Sequence, residues 1–125
     1  MAQTFTSTVP RAGGFLVSEA NNNRSRDTVI LLAGQNLATG AVLGKITASG
    51  KYTQYNPGNA DGSQNPAGIL WDATNAVADT KVAAITRDAE VNTGELAWFA
   101  GASGAQITTG LAALAALGVV PRPAI

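Results

Sequence analysis

The sequence contains few residues that could carry out catalysis. It has no histidine and no cysteine, which excludes serine and cysteine triads, thiolate metal sites and histidine-based metal sites. A pair of carboxylates, as in glycosidases, is the remaining device, and Asp72 with Asp79 or Asp88 with Glu90 are the candidates. Each of these acids lies beside turn residues or alternates with solvent-facing positions, so ordinary surface carboxylates are the favoured interpretation. We therefore predict that the protein is not an enzyme.

Two further patterns are too incomplete to predict a ligand site. The glycine-rich segments at residues 40–44 and 101–104 lack the lysine and the strand-to-helix context of a phosphate-binding loop. Asn59, Asp61 and Ser63 supply oxygen atoms, but they include too few carboxylates for a calcium site. We predict neither a cofactor nor a metal.

Charge and composition indicate a protein partner. Eight basic and eight acidic residues cancel, and only 13% of the residues are charged, so there is no basic patch for nucleic acid and little attraction to an anionic membrane.

The N-terminus lacks the basic start and apolar run of a signal peptide. Apolar residues reach 46% but aromatic residues only 6%, so alanine fills much of the core, and association between copies would add stability.

The first 27 residues differ from the rest of the chain. They are rich in Thr, Ser, Asn and Gly, with apolar residues only in small islands, and such a segment cannot bury enough surface to fold alone. It is either a solvated leader or an arm that becomes ordered on a partner. We predict an extended arm over residues 1–27, with two guanidinium groups at Arg24 and Arg26, and a compact domain over residues 28–125.

Short strands and tight turns dominate the first part of that domain. Residues 40–55 predict a β-hairpin in which Gly50 supplies a positive φ, and Gly44 indicates a bulge or a close backbone approach. The loop at residues 56–66 contains Asp61-Gly62, which would suit a type I′ turn. Further strands are predicted at residues 28–33, 67–71, 80–87 and 88–92, the last continuing or pairing with the one before it.

One helix is predicted near the C-terminus. Ser103-x-x-Gln106 is a capping box, and Gly118 suits a left-handed C-terminal cap. Gly110 inside the helix indicates close packing of another backbone. Apolar residues recur at helical spacing: Ile107, Leu111, Leu114 and Leu117. Residues 119–123 can add only an edge strand, because their prolines cannot donate hydrogen bonds.

Three large aromatic side chains are candidates for an interface. Trp98 and Phe99 are adjacent, so on a strand they would face opposite ways, one into the core and one outward. An outward aromatic residue is useful in an interface, although a small twisted barrel could still cover both. Trp71 is the third candidate for contact with another copy or a partner.

Several segments together resemble the lambda-type bacteriophage head decoration proteins. The similarity runs from about residue 15 to residue 120, and it includes Ala-Gly-Gln-Asn-Leu-Ala-Thr-Gly-Ala-Val-Leu-Gly-Lys at residues 33–45. The other matching segments are residues 15–21, 24–26, 49–52, 67–70, 90–92, 95–96 and 117–119. No catalytic motif is associated with this family.

The resemblance implies a mainly β (α+β) fold, with a small β-barrel or β-tulip-like domain, one C-terminal helix and an extended N-terminal arm. It also implies homotrimers that bind local threefold positions on the outside of the expanded head and clamp neighbouring major capsid subunits. The protein would be made in the host bacterial cytoplasm and located on the capsid surface of the virion.

A binding mechanism follows as a hypothesis, in which the arm adds a strand to the capsid protein. Phe15 and Val17 would fill pockets, and Arg24 and Arg26 would meet capsid carboxylates. The full set of predicted arm contacts is Phe15, Leu16, Val17, Ser18, Glu19, Arg24 and Arg26.

Two alternatives stay open at this point. A carbohydrate-binding or adhesion module on a virion surface would bind glycans through exposed Trp71, Trp98 or Tyr55. A small hydrolase would depend on Asp72 and Asp88.

Overall fold

A computed structural model describes residues 14–19 and 25–122. Strands β1 to β10 are Leu16–Glu19, Arg26–Leu31, Asn36–Leu37, Val42–Lys45, Tyr52–Gln54, Pro66–Leu70, Thr74–Asn75, Thr80–Ile85, Ala89–Asn92 and Val119–Arg122. Helix α1 spans Gly104–Ala116, and a short 3-10 turn spans Thr93–Glu95. Within these residues no helix is long and apolar enough to cross a membrane.

Five strands close into a barrel in the order β2-β5-β4-β6-β8. Strands β4 and β5 form the predicted antiparallel hairpin, and β2 runs antiparallel to β8 along its whole length. The ring closes where Leu31 of β2 pairs in parallel with Tyr52 of β5. The prediction of a mainly β fold with a small barrel and one C-terminal helix is confirmed.

A second sheet has the order β1-β9-β10, with β9 in the middle. The prediction that residues 88–92 continue or pair with the strand before them is therefore wrong. Asp88, with φ of 52°, lies in the left-handed region that turns a chain sharply, and the chain leaves the barrel there. Strand β10 is the predicted edge strand, and it runs parallel to β9.

The barrel strands face two hydrophobic clusters. Successive residues on a strand point to opposite sides, so Ala84 belongs to one cluster and its neighbour Ile85 to the other. This confirms the prediction that the strand within residues 80–87 is covered on both sides. The first cluster comprises Phe15, Val42, Tyr55, Ile69, Ile85, Ala89, Val91, Leu96, Leu114 and Val119. The second comprises Val29, Leu31, Ala41, Leu43, Tyr52, Leu70, Ala76 and Ala84.

Helix α1 has the predicted ends. Ser103 and Gln106 form both hydrogen bonds of the capping box, and Gly118 has a φ of 93°. The neighbour of Gly110 differs from the prediction. It is the ring of Trp98 rather than a backbone, and a Cβ on Gly110 would lie 2.6 Å from Trp98 Cζ3. Leu117 ends the helix as its C-cap and is exposed, because it lies beyond the last turn that faces the core.

The turn predictions have mixed outcomes. Gly50 has the expected positive φ. Gly62 also has a positive φ, but Asp61 does not, so the type I′ turn, which requires both, is wrong. The Asp61 carboxylate instead accepts hydrogen bonds from the backbone N–H and the hydroxyl of Ser63.

Candidate interaction surface

The predicted arm contacts separate into a buried and an exposed part. Phe15 is 1% exposed and belongs to the first hydrophobic cluster, whereas Val17 is 41% exposed. Leu16 is partly buried against the same cluster. The sequence-based hypothesis has both Phe15 and Val17 filling pockets of a partner, but Phe15 already fills a pocket in its own chain. Only Val17 of this pair is open to a partner in this conformation.

Two of the remaining arm residues contribute through the backbone of β1. Ser18 lies opposite Glu90 and Glu19 opposite Ala89, and the register shifts between Leu16 and Ser18. Arg24 lies outside the described residues.

Arg26 packs on Trp71. Its Cζ atom lies 3.8 Å from the centre of the Trp71 ring, a geometry in which the cation is attracted by the negative face of the ring. Phe15 meets the same ring edge to face, with the ring centres 6.1 Å apart at 77°. Three residues that the sequence assigned to outside contacts therefore contact one another.

An ion pair holds the beginning of β2 to the segment after β8. Arg87 Nη1 donates to Asp27 Oδ2 at 2.8 Å, and the Thr86 hydroxyl donates to the same oxygen at 2.6 Å. The hydrogen bond from Arg87, helped by that from Thr86, lowers the pKa of Asp27 from its ordinary value. The carboxylate is therefore favoured in its charged form in the folded protein.

This pair predicts a small pH dependence of stability. Because folding lowers the pKa of Asp27, its contribution is present above the ordinary pKa near 4 and is lost as the pH falls below it. We expect Asp27→Asn to reduce the free energy of unfolding at pH 7 by roughly 1 kcal/mol or less, since the pair is partly exposed and screened by solvent. Urea unfolding at pH 7 and pH 3 measures the difference, which should shrink at pH 3. The exposed acid Asp72, changed to Asn, is the control, and an equal loss at both pH values would contradict the assignment.

Trp98 and Phe99 share one partner, Tyr55. The segment is not a regular strand, since only Ala97 forms a bridge, with Ala41. The ring of Tyr55 meets Trp98 at 6.0 Å and 75° and Phe99 at 5.9 Å and 79°. The prediction that the two side chains face opposite ways is wrong. Both are half-buried against the first cluster, and each leaves part of its ring at the surface.

The glycan-binding alternative gains no support from Tyr55 or Trp71. Tyr55 is 2% exposed, and the Arg26 guanidinium covers one face of Trp71. Stacking of a sugar needs an open ring face, so Tyr55 offers no platform and one face of Trp71 is already occupied.

The carboxylate pairs do not form a catalytic arrangement. Asp79 bonds to Lys51 at 2.5 Å and accepts from Ala33 N–H, and the hydrogen bond from Lys51 lowers its pKa. A general acid needs the opposite shift. Glu90 is paired with Arg122 at 3.0 Å. In the described part of the chain no group of three or more acidic residues is arranged to hold a metal ion.

The two outer edges of the β1-β9-β10 sheet differ. Gly118 O accepts from Ala89 N–H, so alternate residues of β10, including Pro121, direct their backbone groups away from β9. Pro121 has no N–H and cannot pair with an added strand there. Among the described residues β1 pairs only with β9. The outer edge of β1 is therefore the edge that can accept another strand.

Exposed apolar side chains lie on both outer strands of this sheet. Val17 belongs to β1, whereas Val120 belongs to β10, where it lies opposite Glu90 of the middle strand. Both valines are exposed, and only Val17 is beside the open edge. Sequence reasoning did not find this edge, because it depends on pairings between segments that are far apart in the chain.

Comparison with known proteins gives one family. The sequence model described as bacteriophage lambda head decoration protein D matches residues 5–119. No curated protein sequence matches the chain.

Proposed function

Because the chain belongs to the bacteriophage lambda head decoration protein D family, we propose that it binds the outside of the expanded head as a homotrimer. The trimers occupy local threefold positions and clamp neighbouring major capsid subunits. Membership in the family makes the protein a structural component of the capsid surface of the virion and not an enzyme. The oligomeric state, the position on the shell and the contacted subunit are the proposed part.

The outer edge of β1, which pairs with no other strand among residues 14–19 and 25–122, is the observation that supports this proposal best. A strand with unpaired backbone groups is a template for an extended segment of another protein. Pro121 prevents the same addition at β10, and Val17 offers an exposed apolar side chain beside the edge of β1. An extended segment of the major capsid protein is therefore the proposed occupant.

The arm remains residues 1–27 in this proposal, with the compact domain over residues 28–125. Its root is β1, and its last two residues, Arg26 and Asp27, also form the beginning of β2. Residues 1–13 and Arg24 are proposed to contact the capsid, with the Arg24 guanidinium meeting a carboxylate. Phe15 and Arg26 are proposed to attach the arm to the body instead.

Half-buried aromatic residues are the proposed contacts between copies or with the capsid. Trp98 and Phe99 lie side by side on Tyr55, and burial of their remaining exposed area would be favourable. Trp71 is proposed to be nearer the capsid, because it lies at the root of the arm. Three arms on one trimer would bind multivalently, so that modest single contacts give firm attachment.

Two measurements test the proposal. Light scattering after gel filtration should give three times the chain mass, and the purified protein should co-sediment with undecorated expanded heads. Unexpanded heads are the control and should retain much less protein. A monomer at high concentration, or no binding to expanded heads, would overturn the proposal.

A further inference from the structure

We infer that Phe15, Trp71 and Arg26 form a latch that holds the root of the arm, residues 14–19, on the body before the protein meets the capsid. This inference rests on the proposed function. It changes the mechanism, because the strand that receives the partner is formed in advance rather than ordered during binding.

The latch joins three separate parts of the chain. Phe15 precedes β1, Trp71 directly follows β6, and Arg26 begins β2. The backbone N–H of Trp71 donates to Ala83 O at 3.0 Å, which holds the Trp71 backbone beside β8. Arg26 lies opposite Ile85 of the same strand. The barrel therefore supplies a fixed surface on which a side chain from the arm can pack.

Phe15 is the side chain that packs there. It is 1% exposed and belongs to the first hydrophobic cluster, and its ring and that of Trp71 meet in an edge-to-face geometry. Arg26 stacks on the Trp71 ring at 3.8 Å. Burial of a phenylalanine side chain is among the larger favourable contributions that one residue can make, so Phe15 is the strongest anchor in the described part of the arm.

The backbone of Phe15 and Leu16 is joined to the β1-β9-β10 sheet. Asn92 N–H donates to Phe15 O at 2.7 Å, and Leu16 pairs with Val91. The register then shifts before Ser18, as at a β-bulge, which redirects side chains and adds a residue to one strand. The result is that Phe15 is buried and Val17 is exposed, although both belong to one short segment.

A held root would favour binding in two ways. Residues that are already ordered lose little conformational entropy when a partner strand is added. Gly14 is also held at a fixed point of the sheet, since Leu16, two residues later, lies beside Val91, on the side opposite Pro121. A partner strand therefore meets the same geometry in every copy.

The test compares latch variants with a distant surface variant. Phe15→Leu keeps an apolar side chain but removes the edge-to-face contact, and Arg26→Lys keeps the charge but removes the planar group. Val77→Ala is the control, because Val77 is 87% exposed on the turn between β7 and β8. Amide exchange of the free protein is measured at Asn92, whose N–H is bonded to Phe15 O, and binding is measured with expanded heads.

In wild type we expect a protected amide at Asn92. Both latch variants should exchange faster there, with β2 and β8 unchanged, and their affinity for heads should fall by roughly tenfold, because several residues must then be ordered during binding. Val77→Ala should change neither quantity. Rapid exchange at Asn92 of wild type, or exchange no faster than wild type with unchanged binding in the variants, would overturn the latch. A protected Asn92 amide together with no head binding by wild type would overturn the proposed function instead.

Discussion

Deletion of residues 2–13 should weaken binding to expanded heads by roughly 10²-fold or more while leaving the melting temperature almost unchanged. The described fold begins at Gly14, and Phe15, β1 and both hydrophobic clusters stay intact in such a variant. The removed segment is proposed to contact the capsid in addition to the edge of β1, which the variant keeps. This one deletion therefore tests binding to the capsid without disturbing the fold.

The position of the cut decides what the experiment measures. Removal of residues 2–27 would also take away Phe15, β1 and the beginning of β2, where Asp27 is bonded to Arg87 and Thr86. Loss of binding by that longer deletion could come from a damaged barrel. Amide exchange at Asn92, which donates to Phe15 O, should confirm that β1 is retained in the shorter variant.

The expected loss is large because the arms act together. In a trimer, attachment of one arm raises the effective concentration of the other two, and this effect can strengthen binding by roughly 10²–10⁴-fold without new contacts. Removal of residues 2–13 from all three copies removes that gain and the contacts of this segment, and it leaves only the edge of β1 to bind the capsid. Gel filtration with light scattering should still give a trimer. Full retention of head binding would show that the body, rather than the arm, attaches the protein.

Local signals predicted the helix and the hairpin well. Ser103 and Gln106 determine the start of α1 through hydrogen bonds between residues three apart, and Gly50 permits the turn between β4 and β5. These features depend on neighbours in sequence, so residue type and spacing contain the necessary information. Gly44 was also correctly identified, since a glycine inside a strand is rarely without a structural reason.

Long-range pairing is what the sequence did not reveal. Nothing in residues 88–92 indicates that Val91 pairs with Leu16 rather than with the preceding strand. The burial of Phe15 follows from that pairing and was missed with it. The opposite orientation of Trp98 and Phe99 holds only if they lie on a strand, but only Ala97 is bridged there. In both cases tertiary packing decides between local options of similar free energy.

The replacement of Gly44 by alanine should strongly destabilise the protein. Gly44 is buried in β4, where the register with β6 shifts, and a Cβ there would lie 2.6 Å from Ser63 Cα and 2.8 Å from Ser63 C. Real Cβ atoms do not approach backbone atoms so closely, so β4 or the loop that contains Ser63 must move. The prediction from sequence, a bulge or a close backbone approach at this position, is met in both senses.

The loop has little freedom to make room. Ser63 is fully buried, its hydroxyl donates to Asp61 and accepts from Asn59 Nδ2 at 2.8 Å, and its carbonyl accepts from Asn56 N–H. Movement would break several of these hydrogen bonds as well as the strand pairing. We expect a loss of about 3 kcal/mol, at the upper end for overpacking, and a fall in melting temperature of roughly 10–20 °C.

Alanine variants of two other glycines are controls that distinguish this steric effect from the general effect of replacing glycine by alanine. A Cβ on Gly104 meets nothing within 4 Å, and its position at the start of α1 suits alanine, so Gly104→Ala should leave the melting temperature equal or slightly higher. Gly34 has open space but a φ of 94°, so Gly34→Ala measures the conformational penalty alone, about 1 kcal/mol. If Gly44→Ala melts within the range of these two variants, the backbone of Ser63 does not constrain β4. A much lower melting temperature for Gly44→Ala would establish the contact between β4 and the 56–66 loop as a fixed point of the barrel.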